Sequence, residues 1–277
     1  MRTRVSYFVC TTVRSGSNLL CEILRGSGLA GCPDEYFYGA FYPRLFTRFG
    51  AASFADYVPR VIEATTTENG VFGAKMMASY FFHQFVPEVA GLPGTGEAGM
   101  PAAARLVGIF PGLRYIWLTR RDKVRQAISH LRASQTSLWH STEVYASAAA
   151  RPKARYSYEG VANAVLSDAA GNAEWQQYFS DSAIVPLSLV YEDFVQDWEG
   201  TLRRVLDYLE VPVPAGWRPG DYPTGQKLAA GDSDTWRERF VEESLAAWDR
   251  YLSEHSSAPA NDAPVASGPS TKPTAGG

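Results

Sequence analysis

Apolar and polar positions follow two spacings along the chain. Short apolar-rich runs predict strands at residues 5–10 (VSYFVC), 71–76 (VFGAKM, after the turn ENG) and 113–120 (LRYIWLTR, after FPG). The segment AIVPLSLVYEDF reads as a further strand leading to an acidic turn. Residues 19–25 read as a helix ended near Gly28, with Asn18 or Ser17 as its N-cap. In DKVRQAISHLRAS, apolar Val124, Ala127, Ile128 and Leu131 recur at helical spacing. WEGTLRRVLDYLEV and SDTWRERFVEESLAAWDRYL are further helices of the same kind. Strands alternating with helices predict an α/β fold, a parallel sheet with helices on both faces. Residues 91–104 (GLPGTGEAGMPAAA) read as a flexible surface loop. Residues 256–277, rich in Ala, Pro, Ser and Gly, have nothing to bury and read as a disordered tail after one domain at 1–255.

Composition narrows the function. The 277 residues allow a large core, and an apolar fraction of 45% is ordinary for a globular protein. A net charge of -3 gives no basic field for nucleic acid, so an anion site here must be local. The apolar runs fall short of the roughly 20 residues that a membrane helix needs. MRTRVSYFVCTT has no small-residue cleavage site and reads as a first strand rather than a signal peptide. The three cysteines, Cys10, Cys21 and Cys32, form no CxxC pair, which fits a reducing cytoplasm and argues against zinc. The four histidines, His83, His130, His140 and His255, show no ligand spacing.

Three segments carry candidate chemistry. TTVRSGSNLL, residues 11–20, places small residues and Arg14 where a strand turns into a helix. A helix start presents unpaired N–H groups and partial positive charge, and a Gly/Ser turn lets an oxyanion approach them. An ordinary β-to-α turn has the same composition. The Walker A lysine is absent. LTRRDKVRQAIS sets Arg120 and Arg121 at the end of a strand and Ser129 on the helix after it. Ligands in open α/β sheets bind beyond the strands' carboxyl ends, so two such sites on one rim suit a ligand with two separated anionic groups. GCPDEYFYG sets Glu35 beside Tyr36, Phe37 and Tyr38, an environment expected to desolvate a carboxylate and make it a useful base. An exposed acidic turn is the plainer alternative.

Together these segments resemble the bacterial trehalose 2-sulfotransferase family. RSGSNLL, GCPDEYF, GAKMM, RRDKVRQAIS, AEWQQYF and QKLAAGDSDTWRERF follow its motifs in order, over about residues 5–250. The resemblance implies a P-loop-like sulfotransferase fold that binds 3′-phosphoadenosine 5′-phosphosulfate (PAPS). It implies Arg14, Ser15, Gly16, Ser17 and Asn18 as the 5′-phosphosulfate cradle, with Asn18 standing where relatives have threonine. Arg120 and Ser129 would hold the 3′-phosphate, with Arg121 a second candidate. Glu35 would be the catalytic base, with His83 or His130 as the fallback.

The expected reaction is in-line transfer of a sulfuryl group to a hydroxyl of a sugar, glycolipid or natural product, leaving adenosine 3′,5′-bisphosphate. The transferred group carries less charge than a phosphoryl group, so no metal is required. Arg14 and the loop N–H groups would stabilise charge on the leaving phosphate. A nucleotide-dependent kinase and a non-catalytic protein on the same fold are the competing readings. Lys75 could approach the site or snorkel to a surface. The aromatic-rich stretches at 36–58 and 130–145 suit a sugar-binding face or a lid equally. Trp175 and Trp236 read as packing residues. The family further implies a homodimer, and the short apolar runs imply a protein that does not span a membrane.

Overall fold

The computed structural model describes residues 2–97, 99–139, 153–220 and 232–255. The predicted tail at 256–277 and His140 lie outside them. Four strands form one sheet: β1 (Val5–Thr11), β2 (Val71–Met77), β3 (Arg114–Thr119) and β4 (Leu187–Val190). All pairings are parallel and the order is β2-β1-β3-β4. The helices are α1 (Ser17–Gly26), α2 (Tyr42–Phe49), α3 (Phe54–Thr65), α4 (Ala78–Tyr80), α5 (Val86–Ala90), α6 (Ala102–Ile109), α7 (Lys123–Thr136), α8 (Tyr158–Asp181), α9 (Tyr191–Gln196), α10 (Trp198–Tyr208) and α11 (Ser233–His255). A π-helical turn, Phe81–Phe85, joins α4 to α5.

Both faces of the sheet are covered, which is why its central strands read as apolar-rich runs. Successive residues of a strand point to opposite faces. In β1, Val5, Tyr7 and Val9 enter a core shared with Leu20 and Leu24 of α1 and Val205 and Leu206 of α10. Phe8 and Cys10 enter the opposite core, built with Tyr57 of α3, Phe85, Leu106 of α6 and Trp175 of α8. The helices on both faces are thus the predicted architecture.

The structure corrects several local expectations. Helix α1 is capped by neither Ser17 nor Asn18: Gly16 is the N-cap, in the left-handed conformation with no side-chain cap bond. The acidic YEDF segment is the start of α9 and not a turn, and β4 is only four residues long. The predicted loop at 91–104 already enters α6 at Ala102. Arg105 of α6 is buried and donates to the carbonyls of Thr95, Gly96, Glu97 and Met100, so a helix side chain organises this segment.

The chain divides into two compact units, Met1–Arg237 and Glu238–Gly277, and α11 runs through the boundary. In the second unit, Arg239 pairs with Glu243 at 2.7 Å and Phe240 is buried. No helix among the described residues is long and apolar enough to cross a membrane.

Candidate active site

The loop after β1 is held by three neighbours. Thr11 Oγ1 lies 2.5 Å from Ser15 Oγ and 2.8 Å from the Leu118 carbonyl of β3. Gln126 of α7 donates to Thr12 Oγ1 at 2.9 Å and to the Val13 carbonyl at 2.8 Å. Trp175 Nε1 of α8 donates to the Thr11 carbonyl at 3.0 Å. Arg14 (φ 57°) and Gly16 (φ 91°) take left-handed backbone conformations, which let the chain reverse directly into α1. The Tyr191 ring closes over Gly16, where an added Cβ would come 2.2 Å from its Cδ2. The first turn of α1 therefore opens beside Arg14 with no side-chain cap.

Arg14 and Ser129 meet. Arg14 Nε donates to Ser129 Oγ at 2.9 Å, and Nη1 donates to the Trp139 carbonyl at 2.7 Å. Arg120 joins them from the end of β3, where Nη1 donates to the Arg14 carbonyl at 3.2 Å. Its guanidinium sits 5.0 Å over the Tyr191 ring and 3.8 Å from Glu192 Oε1, and its buried Nε has no hydrogen-bond partner. Arg121 is not brought to this cluster. Its side chain is 61% exposed and makes two bonds to Asp193, at 2.8 and 2.7 Å.

Glu35 reaches the loop from the other side, along the outer edge of β2. The Lys75 N–H donates to the Asp34 carbonyl at 2.9 Å. Gly31 (φ 74°) lies so close to β2 that a Cβ would come 2.9 Å from the Val71 carbonyl oxygen. Arg25 of α1 donates to the Pro33 carbonyl at 2.8 Å. Tyr36 and Phe37 enter the core, and Tyr36 donates to the Cys32 carbonyl at 2.5 Å. Glu35 Oε2 is 3.1 Å from Lys75 Nζ, which also donates to Asn18 Oδ1 at 2.6 Å. The Lys75 and Glu35 side chains are 3% and 14% exposed. Lys75 thus takes the inward of its two sequence readings, and the Glu35 carboxylate faces its ammonium.

The Stf0 sulphotransferase family model matches residues 6–243. The chain belongs to the Stf0 sulphotransferase family. It is therefore a sulfotransferase, which decides between that reading and a kinase. It is similar to the trehalose 2-sulfotransferase of Mycolicibacterium smegmatis, 27% identical over 263 residues that cover 85% of this chain and 94% of the relative. It is also similar to the trehalose 2-sulfotransferase of Mycobacterium tuberculosis, 26% identical over 267 residues that cover 86% and 95% of the two chains. Among solved structures it is similar to the sulfotransferase domain from the curacin biosynthetic pathway (TM-score 0.45, 15% identity, 88% of this chain and 99% of that one). A sulfotransferase from Alicyclobacillus acidocaldarius gives a TM-score of 0.42 at 14% identity, with 91% and 96% covered.

In this sulfotransferase, two residues at the loop escaped the sequence reading. Gln126 lies within the RRDKVRQAIS segment that carries the resemblance, and that was the available signal. Tyr191 follows a short strand in an acidic stretch and gave no signal of its own. The histidine fallbacks stand apart from Lys75 and Glu35 in their pairing: His83 lies 2.8 Å from Glu174, and His130 lies 3.5 Å from the buried Asp168. Among the described residues no group of three or more His, Cys, Asp or Glu side chains is placed to hold a metal ion.

Proposed function

We propose that this sulfotransferase moves a sulfuryl group from PAPS to a hydroxyl of a sugar or sugar-bearing acceptor, with Glu35 as general base. The observation that carries the reading is that one side chain, Lys75, touches both Glu35 and Asn18, so the base stands beside the start of α1. The residues present suit an anionic donor: an uncapped helix start, Arg14, and next to it Arg120, whose buried Nε has no hydrogen-bond partner. Arg14, Ser15, Gly16, Ser17 and Asn18 would hold the 5′-phosphosulfate. Arg120 and Ser129 would hold the 3′-phosphate, and the surface pairing of Arg121 with Asp193 favours Arg120 for that role. When bound, the donor supplies sulfur to the acceptor oxygen, and the electron pair of the broken S–O bond leaves with the 5′-phosphate. Glu35 accepts the hydroxyl proton, and Arg14 with the loop N–H groups stabilises charge on the departing phosphate.

The sugar class is supported by the two similar enzymes, both trehalose 2-sulfotransferases. The free Cys10, Cys21 and Cys32 support a reducing, cytoplasmic compartment. The test is incubation with sulfur-labelled PAPS and a panel of sugars, glycolipids and natural products, with and without EDTA. Label is expected on a sugar hydroxyl, with EDTA leaving the rate unchanged. Glu35→Gln should lower kcat by about 10²–10⁴-fold and leave adenosine 3′,5′-bisphosphate affinity intact. Full turnover by Glu35→Gln sinks the base assignment, and label confined to non-sugar acceptors sinks the sugar class.

A further inference from the structure

We propose that Lys75 is the positioning residue that fixes Glu35 against the donor loop. The inference rests on reading Glu35 as the base. Strand parity decides where Lys75 points. Val71 lies in the core on the α1 side, and Gly73 gives way to the Tyr7 ring on that same side, where a Cβ would come 2.5 Å from Tyr7 Cζ. Lys75 is next in that alternation, so its side chain rises beside α1 and reaches Asn18 in the first turn. The residue acts at three points. Its N–H holds the Asp34 carbonyl at 2.9 Å, its carbonyl accepts from Tyr80 Oη at 2.6 Å, and its ammonium joins Glu35 and Asn18. Main chain and side chain therefore fix consecutive residues, Asp34 and Glu35.

Stability alone is a weak reason for this arrangement. Removing two charges from water is costly, and a packed apolar pair of similar volume often stabilises as well. Alignment of a carboxylate with a hydroxyl proton is worth much more, because misplacement of about 1 Å can cost about 10²-fold in rate.

The experiment compares full-length wild type, Lys75→Met, Glu35→Gln and the double variant, using labelled PAPS, the acceptor found above and calorimetry with adenosine 3′,5′-bisphosphate. Lys75→Met should lower kcat by about 10²-fold while donor KM and adenosine 3′,5′-bisphosphate affinity stay within about threefold. Since Lys75 acts through Glu35, the double variant should be no slower than Glu35→Gln. The double variant has no unpaired buried charge, so this comparison survives if Lys75→Met alone does not fold. Glu35→Gln inactive with Lys75→Met at wild-type kcat overturns the Lys75 inference alone. A double variant well below Glu35→Gln also overturns it, because Lys75 would then act independently. An active Glu35→Gln overturns the base reading and this inference with it.

Discussion

Gly16 joins two demands at one residue. Its φ of 91° is left-handed, and the Tyr191 ring occupies the space of a Cβ. Gly16→Ala should therefore cost about 1–2 kcal/mol for the backbone conformation alone, with the ring clash added. Calorimetry should show a lowered melting temperature and weakened adenosine 3′,5′-bisphosphate binding, and unchanged affinity would show that the loop is not the cradle. The adjacent arginines make a second contrast. Arg120→Ala should weaken that ligand strongly and Arg121→Ala hardly at all, since Arg121 is engaged with Asp193 at the surface. Equal losses would reassign the 3′-phosphate contact. The sequence identified the pair but could not choose between them, because side chains leaving a strand diverge and the following turn sets which one faces inward. The cysteines differ by burial as well. Burial pushes the Cys21 thiol up to about 12 and raises Cys10 too, whereas Cys32 is only half-buried. Since the thiolate is the reactive form, a thiol reagent at pH 8 should label Cys32 fast and the other two only on unfolding. Fast labelling of Cys21 would contradict its burial.

At the scale of elements, the start of α9 braces the start of α7. Glu192 accepts from the backbone N–H groups of Arg121 at 2.8 Å and Asp122 at 3.1 Å. Burial raises the affinity of this carboxyl for a proton, but those donors and Arg120 outweigh it, and the net effect holds Glu192 below the ordinary carboxylate value. A depressed folded value contributes stability above the unfolded pKa of about 4.3, and the contribution is lost as pH falls through the lower folded value. Glu192→Gln should therefore lower stability by about 1–3 kcal/mol at neutral pH and flatten the acid limb of the stability profile. Urea titrations between pH 3 and 7 measure it, and an unchanged slope below pH 4.5 would remove Glu192 from acid unfolding. Strands β1, β2 and β3 were legible because burial on both faces leaves apolar-rich runs. The N-cap of α1 was not, because a left-handed glycine caps with no side-chain signature at Ser17 or Asn18. The YEDF segment was misread because a short helix has too few residues to show a period. The organisation of the segment before α6 depends on Arg105 meeting four carbonyls, which no local pattern encodes.

Across the Met1–Arg237 unit, the sheet separates an aliphatic core from an aromatic one. Composition showed the aromatic residues at 36–58 but not their side, since a ring in a core and a ring in a cleft read alike. The structure places Tyr36, Phe37 and Tyr57 in the core, which removes them from the open sugar-binding faces the sequence allowed. Phe8 is the centre of that core. Its ring meets Phe110 at 4.9 Å, Tyr115 at 6.0 Å, Phe85 at 6.2 Å and Phe81 at 6.3 Å, all edge-on. Those partners come from the π-helical turn, the segment after α6 and β3, so one side chain ties separate elements to β1. Phe8→Ala should cost about 3–5 kcal/mol, the sum of lost burial and a cavity that rigid rings cannot fill. Urea unfolding should show a lower midpoint at unchanged slope. A loss below about 1 kcal/mol would mean that the rings repack and that this core is not the clamp on β1. The folded fraction should still bind adenosine 3′,5′-bisphosphate, because the proposed donor loop is also held from outside that core, by Leu118 of β3 and Gln126 of α7.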